Sequence, residues 1–189
     1  MIKIVGGLYR GRKLKSVKEG VRPSTAAVKK RYFDIVGRKI VGSVFLDAFS
    51  GTGAIGIEAI GRGADLVVFI DSGRESVKVI EHNLKKLEVP EDKFLIISKD
   101  YNLAVKECEK RDIKFDFVFI DPPFEYYKRN NPLRILYKRD VLKDVFLITL
   151  ERPRNYNFKS KYFKVLREFR TSSSIIDFYS EKEDIIRKS

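Results

Sequence analysis

The chain has 189 residues and carries 39 Lys and Arg against 26 Asp and Glu, a formal charge of +13, with 43% hydrophobic residues. That length fits one domain with a small appendage, and the apolar content is enough to bury a core, which excludes disorder as the main state. A single cysteine, Cys108, and a single histidine, His82, exclude an internal disulfide and a Cys/His zinc site, and no apolar run reaches the ~20 residues of a membrane span or the core of a signal peptide, so a cytoplasmic protein is expected.

In chain order, Lys3-Ile-Val-Gly-Gly-Leu-Tyr-Arg-Gly-Arg-Lys-Leu14 reads as two short strand-like pieces around Gly6-Gly7, a basic hairpin whose cations point outward. After Arg22-Pro23, Ser24 or Thr25 can cap a helix whose apolar positions Ala27, Val28, Tyr32, Phe33, Ile35 and Val36 recur with helical spacing until Gly37. From residue 43 the pattern changes to short apolar runs separated by helical stretches. The strands Val44 to Leu46, Leu66 to Ile70, Phe94 to Ile97 and Phe115 to Ile120 alternate with helices at Ala54 to Ile60, Glu75 to Leu87 and Leu103 to Lys110. Uninterrupted apolar strands alternating with helices predict a parallel sheet covered on both faces. A helix near Leu133 to Leu142, a strand Val145 to Leu150, and late strands Tyr162 to Phe169 and Ile175 to Tyr179, read as an antiparallel pair, complete a doubly wound α/β fold of seven strands, mostly parallel.

The charge is polarised along the chain. Residues 1–46 sum to +10, 47–124 to −4, 125–170 to +8 and 171–189 to −1. Two separated basic blocks of this size suit a polyanion, since clustered cations gain from phosphate attraction and counterion release. Nucleic acid is the expected partner.

Phe45-Leu-Asp47-Ala-Phe49-Ser50-Gly51-Thr52-Gly53-Ala-Ile-Gly56 follows a strand and opens a helix. In that context a Gly-x-Gly-x-x-Gly match has a mechanism, because the glycines let backbone N–H groups approach a ligand and let the helix pack on the strand. Asp71, twenty residues after Gly51 at the end of the next strand, suits ribose hydroxyls. Both NAD and S-adenosylmethionine contain adenosine, and the turn alone does not separate them. Asp47 does so, because a carboxylate there would oppose a pyrophosphate and suits a ligand bearing ammonium and sulfonium charges. Asp121-Pro122-Pro123-Phe124, directly after an apolar strand, adds the second discriminator. The prolines remove two N–H donors and stiffen the loop, which leaves the Asp121 carboxylate and the Pro122 carbonyl as converging acceptors and Phe124 as a flat face. Two acceptors can localise the lone pair of an exocyclic amino group on a base for in-line attack on a methyl group, with no metal required. The tetrapeptide serves guanine and adenine amines alike. A binding module with a vestigial cofactor pocket is the reading that the basic blocks alone would support.

Three segments together resemble the RsmD-type methyltransferases that modify a guanine N2 in small-subunit (16S) ribosomal RNA: Ile4 to Leu14 with Arg22-Pro23, Leu46 to Ala59 with Arg62-Gly-Ala64, and Asp121 to Phe124. The late Phe178-Tyr179 also fits. The resemblance implies a Rossmann-like methyltransferase sheet, S-adenosylmethionine as cofactor, and action on ribosomal RNA in an assembled or partly assembled small subunit; a monomer is expected. By position it places Asp47 and Phe49, Ser50, Gly51, Thr52 and Gly53 at the methionine end of the cofactor, Asp71 and Ser72 at the ribose, Asp100 and Tyr101 at the adenine, and Asp121 to Phe124 at the target amine. Residues 1–40 would form an RNA-binding extension and 41–189 the methyltransferase domain. RNA contacts are expected from Arg10, Arg12, Lys13 and Arg22, and from Tyr126, Lys128 and Arg129 just past the target-amine loop. The chain departs from the family pattern at Ala26, at Lys29-Lys30, and at Thr171-Ser-Ser-Ser174. Cys108 and His82 are expected as a packing residue and a surface residue.

Overall fold

The computed structural model describes residues 2–17, 26–128, 130–156, 160–171 and 174–180. Two antiparallel pieces, β1 (Ile2–Lys3) and β2 (Lys13–Leu14), open the chain, followed by α1 (Ala26–Val36). Then β3 (Val44–Ala48), α2 (Ala54–Gly61), β4 (Leu66–Ile70), α3 (Arg74–Lys86), β5 (Phe94–Ile97), α4 (Tyr101–Lys110) and β6 (Phe115–Ile120) alternate as the apolar runs predict. α5 (Pro132–Tyr137), β7 (Leu142–Pro153), β8 (Lys164–Arg170) and β9 (Ser174–Ser180) complete the described elements.

The main sheet has seven strands in the order β5-β4-β3-β6-β7-β9-β8. The first five are parallel, and β9 and β8 add antiparallel pairs. The chain winds outward from β3 through β4 to β5, then returns to place β6 on the other flank of β3. That reversal opens a crevice at the carboxyl ends of β3 and β6, where open α/β sheets take their ligands.

Each sheet face has its own buried cluster. Tyr32, Phe33, Phe45, Ile57, Phe69, Ile80, Phe119 and Phe178 fill one, under α1, α2 and α3. Leu46, Val68, Val118, Ile148 and Tyr179 meet Ala104 and Cys108 of α4 and Leu133 and Leu136 of α5 on the other. Ile2, Ile4 and Leu14 of the N-terminal hairpin belong to the first cluster, so the apolar half of each hairpin strand is packed against the body of the protein while Arg10, Arg12 and Lys13 stay exposed. Among the described residues, no helix is long and apolar enough to cross a membrane.

Several expectations change, among them β7, which runs Leu142–Pro153 and not Val145 to Leu150. The glycines at 6 and 7 do more than turn the hairpin: Gly7 has φ +72°, an added Cβ would lie 2.4 Å from the Gly61 carbonyl oxygen, and Leu8 N–H donates to that oxygen at 2.7 Å. The hairpin is thereby clamped to the end of α2. The expected helix Leu133 to Leu142 ends at Tyr137. Asn131 Oδ1 caps it by accepting from Leu133 and Arg134 N–H, but past Tyr137 the Glu109 carboxylate accepts from both Arg139 Nη1 (3.1 Å) and Asp140 N–H (3.0 Å). Those contacts draw the chain out of the helix, the Val141 carbonyl accepts from Phe115 N–H, and Leu142 enters β7.

Candidate functional site

β3 and β6 run side by side with Asp47 opposite Phe119 and Ala48 opposite Ile120. This register delivers Asp47 to the carboxyl rim, where it is only 3% exposed and its Oδ2 accepts from Gly56 N–H at 2.9 Å. Burial, against the lowering effect of the Gly56 N–H and with a further push from the charge of Asp71, raises the Asp47 carboxyl to about 8. The chain then reverses through three left-handed residues, Phe49, Gly51 and Gly53, at φ 59°, 54° and 73°. Ser50 braces the turn, donating from Oγ to the Asp47 carbonyl at 2.6 Å and from N–H to the Ile70 carbonyl at 3.0 Å. A Cβ on Gly56 would stand 2.3 Å from the Phe69 ring, so this glycine is what lets α2 lie against β4.

Asp71 is more occupied than its place after β4 implies. Its Oδ2 accepts from Gly51 N–H and its Oδ1 from Gly73 N–H, each at 2.8 Å, which ties the first and second turns together. A carboxylate offers about four lone-pair sites, so two remain for a ligand's hydroxyls. Asp100 caps α4 by accepting from Asn102 N–H at 2.9 Å. Beside it the Tyr101 ring is buried, and Phe49 lies 5.1 Å from Tyr101 and 4.8 Å from Tyr126, centroid to centroid. These three rings form an aromatic cluster in which Tyr126 meets the other two edge to face.

The Asp121 to Phe124 loop closes the opposite side. Asp121 N–H reaches the Ala48 carbonyl at 3.4 Å, Pro122 is buried, the Pro123 carbonyl accepts from Tyr126 N–H at 2.9 Å, and Phe124 stands 48% exposed. Between turn and loop lies a cavity of about 670 Å³. Asp47, Phe49, Ser50, Gly51, Thr52, Asp71, Ser72, Asp100, Tyr101 and all of Asp121, Pro122, Pro123 and Phe124 line it. Gly53 does not, and serves as the left-handed residue that starts α2.

Tyr126, expected among RNA-contacting residues, is half-buried and lines this cavity, with its ring against Phe49 and Tyr101. Tyr127 is buried, and its Oη donates to the Glu151 carbonyl. An aromatic pair after a turn signals exposure as readily as packing; in the structure a short 3-10 turn over Phe124–Lys128 carries both residues. Arg22 and Arg129 lie outside the described residues, as does the Lys128 side chain. Sequence reasoning also left Glu151 and Ser174 out of the site, although both line the cavity. They arrive from β7 and β9, strands distant in sequence, through the pairing of Glu151 with Ile176 and of Pro153 with Ser174. Cys108 is buried, its thiol pushed up to about 12 mainly by burial, and His82 is exposed on α3.

The same architecture recurs in the solved structure of yhhF from Escherichia coli, which superposes with a TM-score of 0.81 at 25% identity, covering 96% of this chain and 98% of that one. Ribosomal RNA small subunit methyltransferase D of Haemophilus influenzae is 32% identical over 151 residues, 79% of this chain and 78% of that protein. The enzyme of the same name from Escherichia coli K12 is 30% identical over 79% of this chain and 74% of its own length. The family described as conserved hypothetical protein 95 matches residues 2–180, a span that takes in the hairpin, the glycine turn and the Asp-Pro-Pro-Phe loop, and the chain belongs to that family, the RsmD family to which its motifs point.

Proposed function

We infer that this chain is an S-adenosylmethionine-dependent methyltransferase that modifies the N2 amino group of a guanine in small-subunit ribosomal RNA. The observation that carries the reading is one cavity holding a buried carboxylate, Asp47, at the end of β3 and the Asp121-Pro122-Pro123-Phe124 loop at the end of the adjacent β6. The cavity fits the cofactor chemically. Asp47 suits an ammonium group, Asp71 a ribose, and the Phe49, Tyr101 and Tyr126 rings a planar base, with Asp100 at its edge. Bound there, S-adenosylmethionine supplies an electrophilic methyl group on a sulfonium sulfur. The chain's own part is to position and polarise the target: the Asp121 carboxylate and Pro122 carbonyl accept the two N–H bonds of the amine, Phe124 stacks on the base, and the proline ring geometry keeps both acceptors fixed.

We assign RNA binding to residues 1–40 and methyl transfer to 41–189, with the protein acting as a cytoplasmic monomer on an assembled or partly assembled subunit. The hairpin cations Arg10, Arg12 and Lys13, all exposed, support the first assignment. Replacing the three by alanine is expected to weaken RNA binding and to reduce the slope of log affinity against log salt by about 0.7–0.9 for each phosphate no longer neutralised; fluorescence titration over a salt series checks this.

The decisive experiment is transfer of labelled methyl groups to RNA and to small subunits from cells lacking the protein, followed by nucleoside analysis. N2-methylguanosine is the expected product; N6-methyladenosine would overturn the choice of base, and methylation of free RNA alone would remove the subunit from the proposal.

Asp47 makes cofactor binding pH-dependent. Its carboxyl is raised to about 8 chiefly by burial, so below that pH it is mostly neutral, whereas a cationic ligand beside it favours the charged form. Binding therefore releases a proton, and affinity falls as pH drops from 8 to 6, by up to about tenfold per unit for one fully coupled proton. Calorimetry in that window is expected to show this dependence, and Asp47→Asn to flatten it while weakening binding.

A further inference from the structure

The carboxyl rim of the sheet carries polar groups in strand order on one face: Asp47 on β3, Asp121 after β6, Glu151 on β7 and Ser174 on β9, all lining the same cavity. Phe119, two residues before Asp121, pairs with Asp47 and with Thr149, which is two residues before Glu151. Side chains two apart on a strand share a face, and paired residues on neighbouring strands do so too, so Glu151 sits beside Asp121 on the flank away from Asp47.

Glu151 is held in place from both ends. Tyr127 Oη donates to its main-chain carbonyl, and Ser174 Oγ donates to its Oε1 at 2.6 Å. Ser174 is itself fixed by Thr171, whose Oγ1 accepts from Ser174 N–H at 2.9 Å and whose N–H donates to the Ser174 carbonyl at 2.9 Å. The neighbouring cation, Arg152, turns to the other face and binds Asp177 and Glu168 there. A carboxylate positioned in this way at the mouth of an amine-binding loop presents acceptor oxygens to whatever ring atom lies next to the amine.

That atom differs between the two bases that Asp-Pro-Pro-Phe can serve. In guanine the carbon bearing the N2 amine is bonded to N1, which carries a hydrogen and donates. In adenine the carbon bearing the N6 amine is bonded to an N1 that has only a lone pair. We propose that Glu151 reads the ring nitrogen beside the target amine, accepting a hydrogen bond from guanine N1–H and repelling the lone pair of adenine N1, with Ser174 as the positioning residue that fixes the carboxylate plane. This rests on the methyltransferase reading above and adds to it the group that selects the base.

The test compares two RNAs, one with the mapped target guanine and one with 2-aminopurine at that position, which keeps the C2 amine but has an acceptor at N1. The wild-type protein is expected to prefer guanine by at least about hundredfold in kcat/KM, the discrimination of one good base contact. Glu151→Gln, whose carboxamide can donate to a bare N1, is expected to shrink that preference to within about tenfold, and Ser174→Ala to shrink it partway, with cofactor affinity by calorimetry unchanged in both. A preference that Glu151→Gln leaves intact, or a proportionate loss on both RNAs, overturns the role of Glu151, as does equal methylation of the two RNAs by the wild-type protein. Failure of the wild-type protein to methylate guanine at all is a different outcome, and it refutes the methyltransferase reading on which this rests.

Discussion

Asp121→Ala is expected to lower methyl transfer by about 10³-fold, the scale seen when one preorganised partner of a reacting group is removed, while calorimetry still registers cofactor binding. The separation follows from the geometry. Asp121 lies on the loop side of the cavity, whereas the glycine turn is braced from within β3 and β4: Ser50 holds the Asp47 carbonyl, and Asp71 holds Gly51 and Gly73. Removing the Asp121 side chain leaves all of those hydrogen bonds in place. It also leaves the Asp121 N–H on the Ala48 carbonyl, so the loop keeps that anchor to the sheet while an acceptor for the amine disappears. Near-normal turnover by this variant would sink the amine-polarising role.

The largest effect on stability is expected at Arg152. Its side chain is 8% exposed and that of Asp177 3%. Arg152 Nε donates to Asp177 Oδ2 at 2.6 Å, Nη2 to Glu168 Oε2 at 3.0 Å, and Nη1 to the Tyr156 carbonyl at 2.7 Å. Tyr179 Oη adds a donor to Asp177 at 3.0 Å. Arg152→Ala strands a buried carboxylate, which costs about 3–5 kcal/mol and, at roughly 2–4 °C per kcal/mol for a chain of this size, lowers Tm by about 6–20 °C. The double variant Arg152→Met, Asp177→Leu is expected to recover a large part, because it removes the charge that the single change leaves unpaired. Thermal unfolding of both variants measures the difference.

How far the fold could be read from the residues depended on what each signal encodes. β4, β5 and β6 fall where their apolar runs place them, because a short, mainly apolar run bounded by turn residues is the local signature of a strand in a covered parallel sheet. α5 is shorter than its pattern, since Glu109, thirty residues upstream, decides where it stops. β7 extends well beyond Val145 to Leu150 at both ends, because pairing with β6 and β9 continues past its apolar centre. The site shows the same division. Asp47, the glycine turn and the Asp121 loop are local motifs at strand ends, and all meet in the cavity. Asp71's grip on two turns, Tyr126's place in the aromatic cluster, and the arrival of Glu151 and Ser174 depend on tertiary pairings that no local pattern contains.

The hairpin clamped to α2 has a geometric consequence. α2 begins at the ligand-facing turn, after Gly53, and ends at Gly61, whose carbonyl holds Leu8. Eight helical residues span about 12 Å, and nothing in a hydrogen-bonded rod of that length stretches or bends easily. The helix is therefore one rigid tie between hairpin and cavity. Hydrogen bonds from Lys29 to the Lys3 carbonyl and between Asn83 and Lys15 tie the hairpin to α1 and α3 as well, so its cations stand at a fixed distance from the Asp47 end of the cavity, and under the proposed RNA-binding role a strand held there would offer only bases one fixed reach away. Inserting a single residue into α2 would displace Gly61 by about 1.5 Å and roughly a hundred degrees, which breaks its hold on Leu8 while the ties to α1 and α3 keep the hairpin where it is.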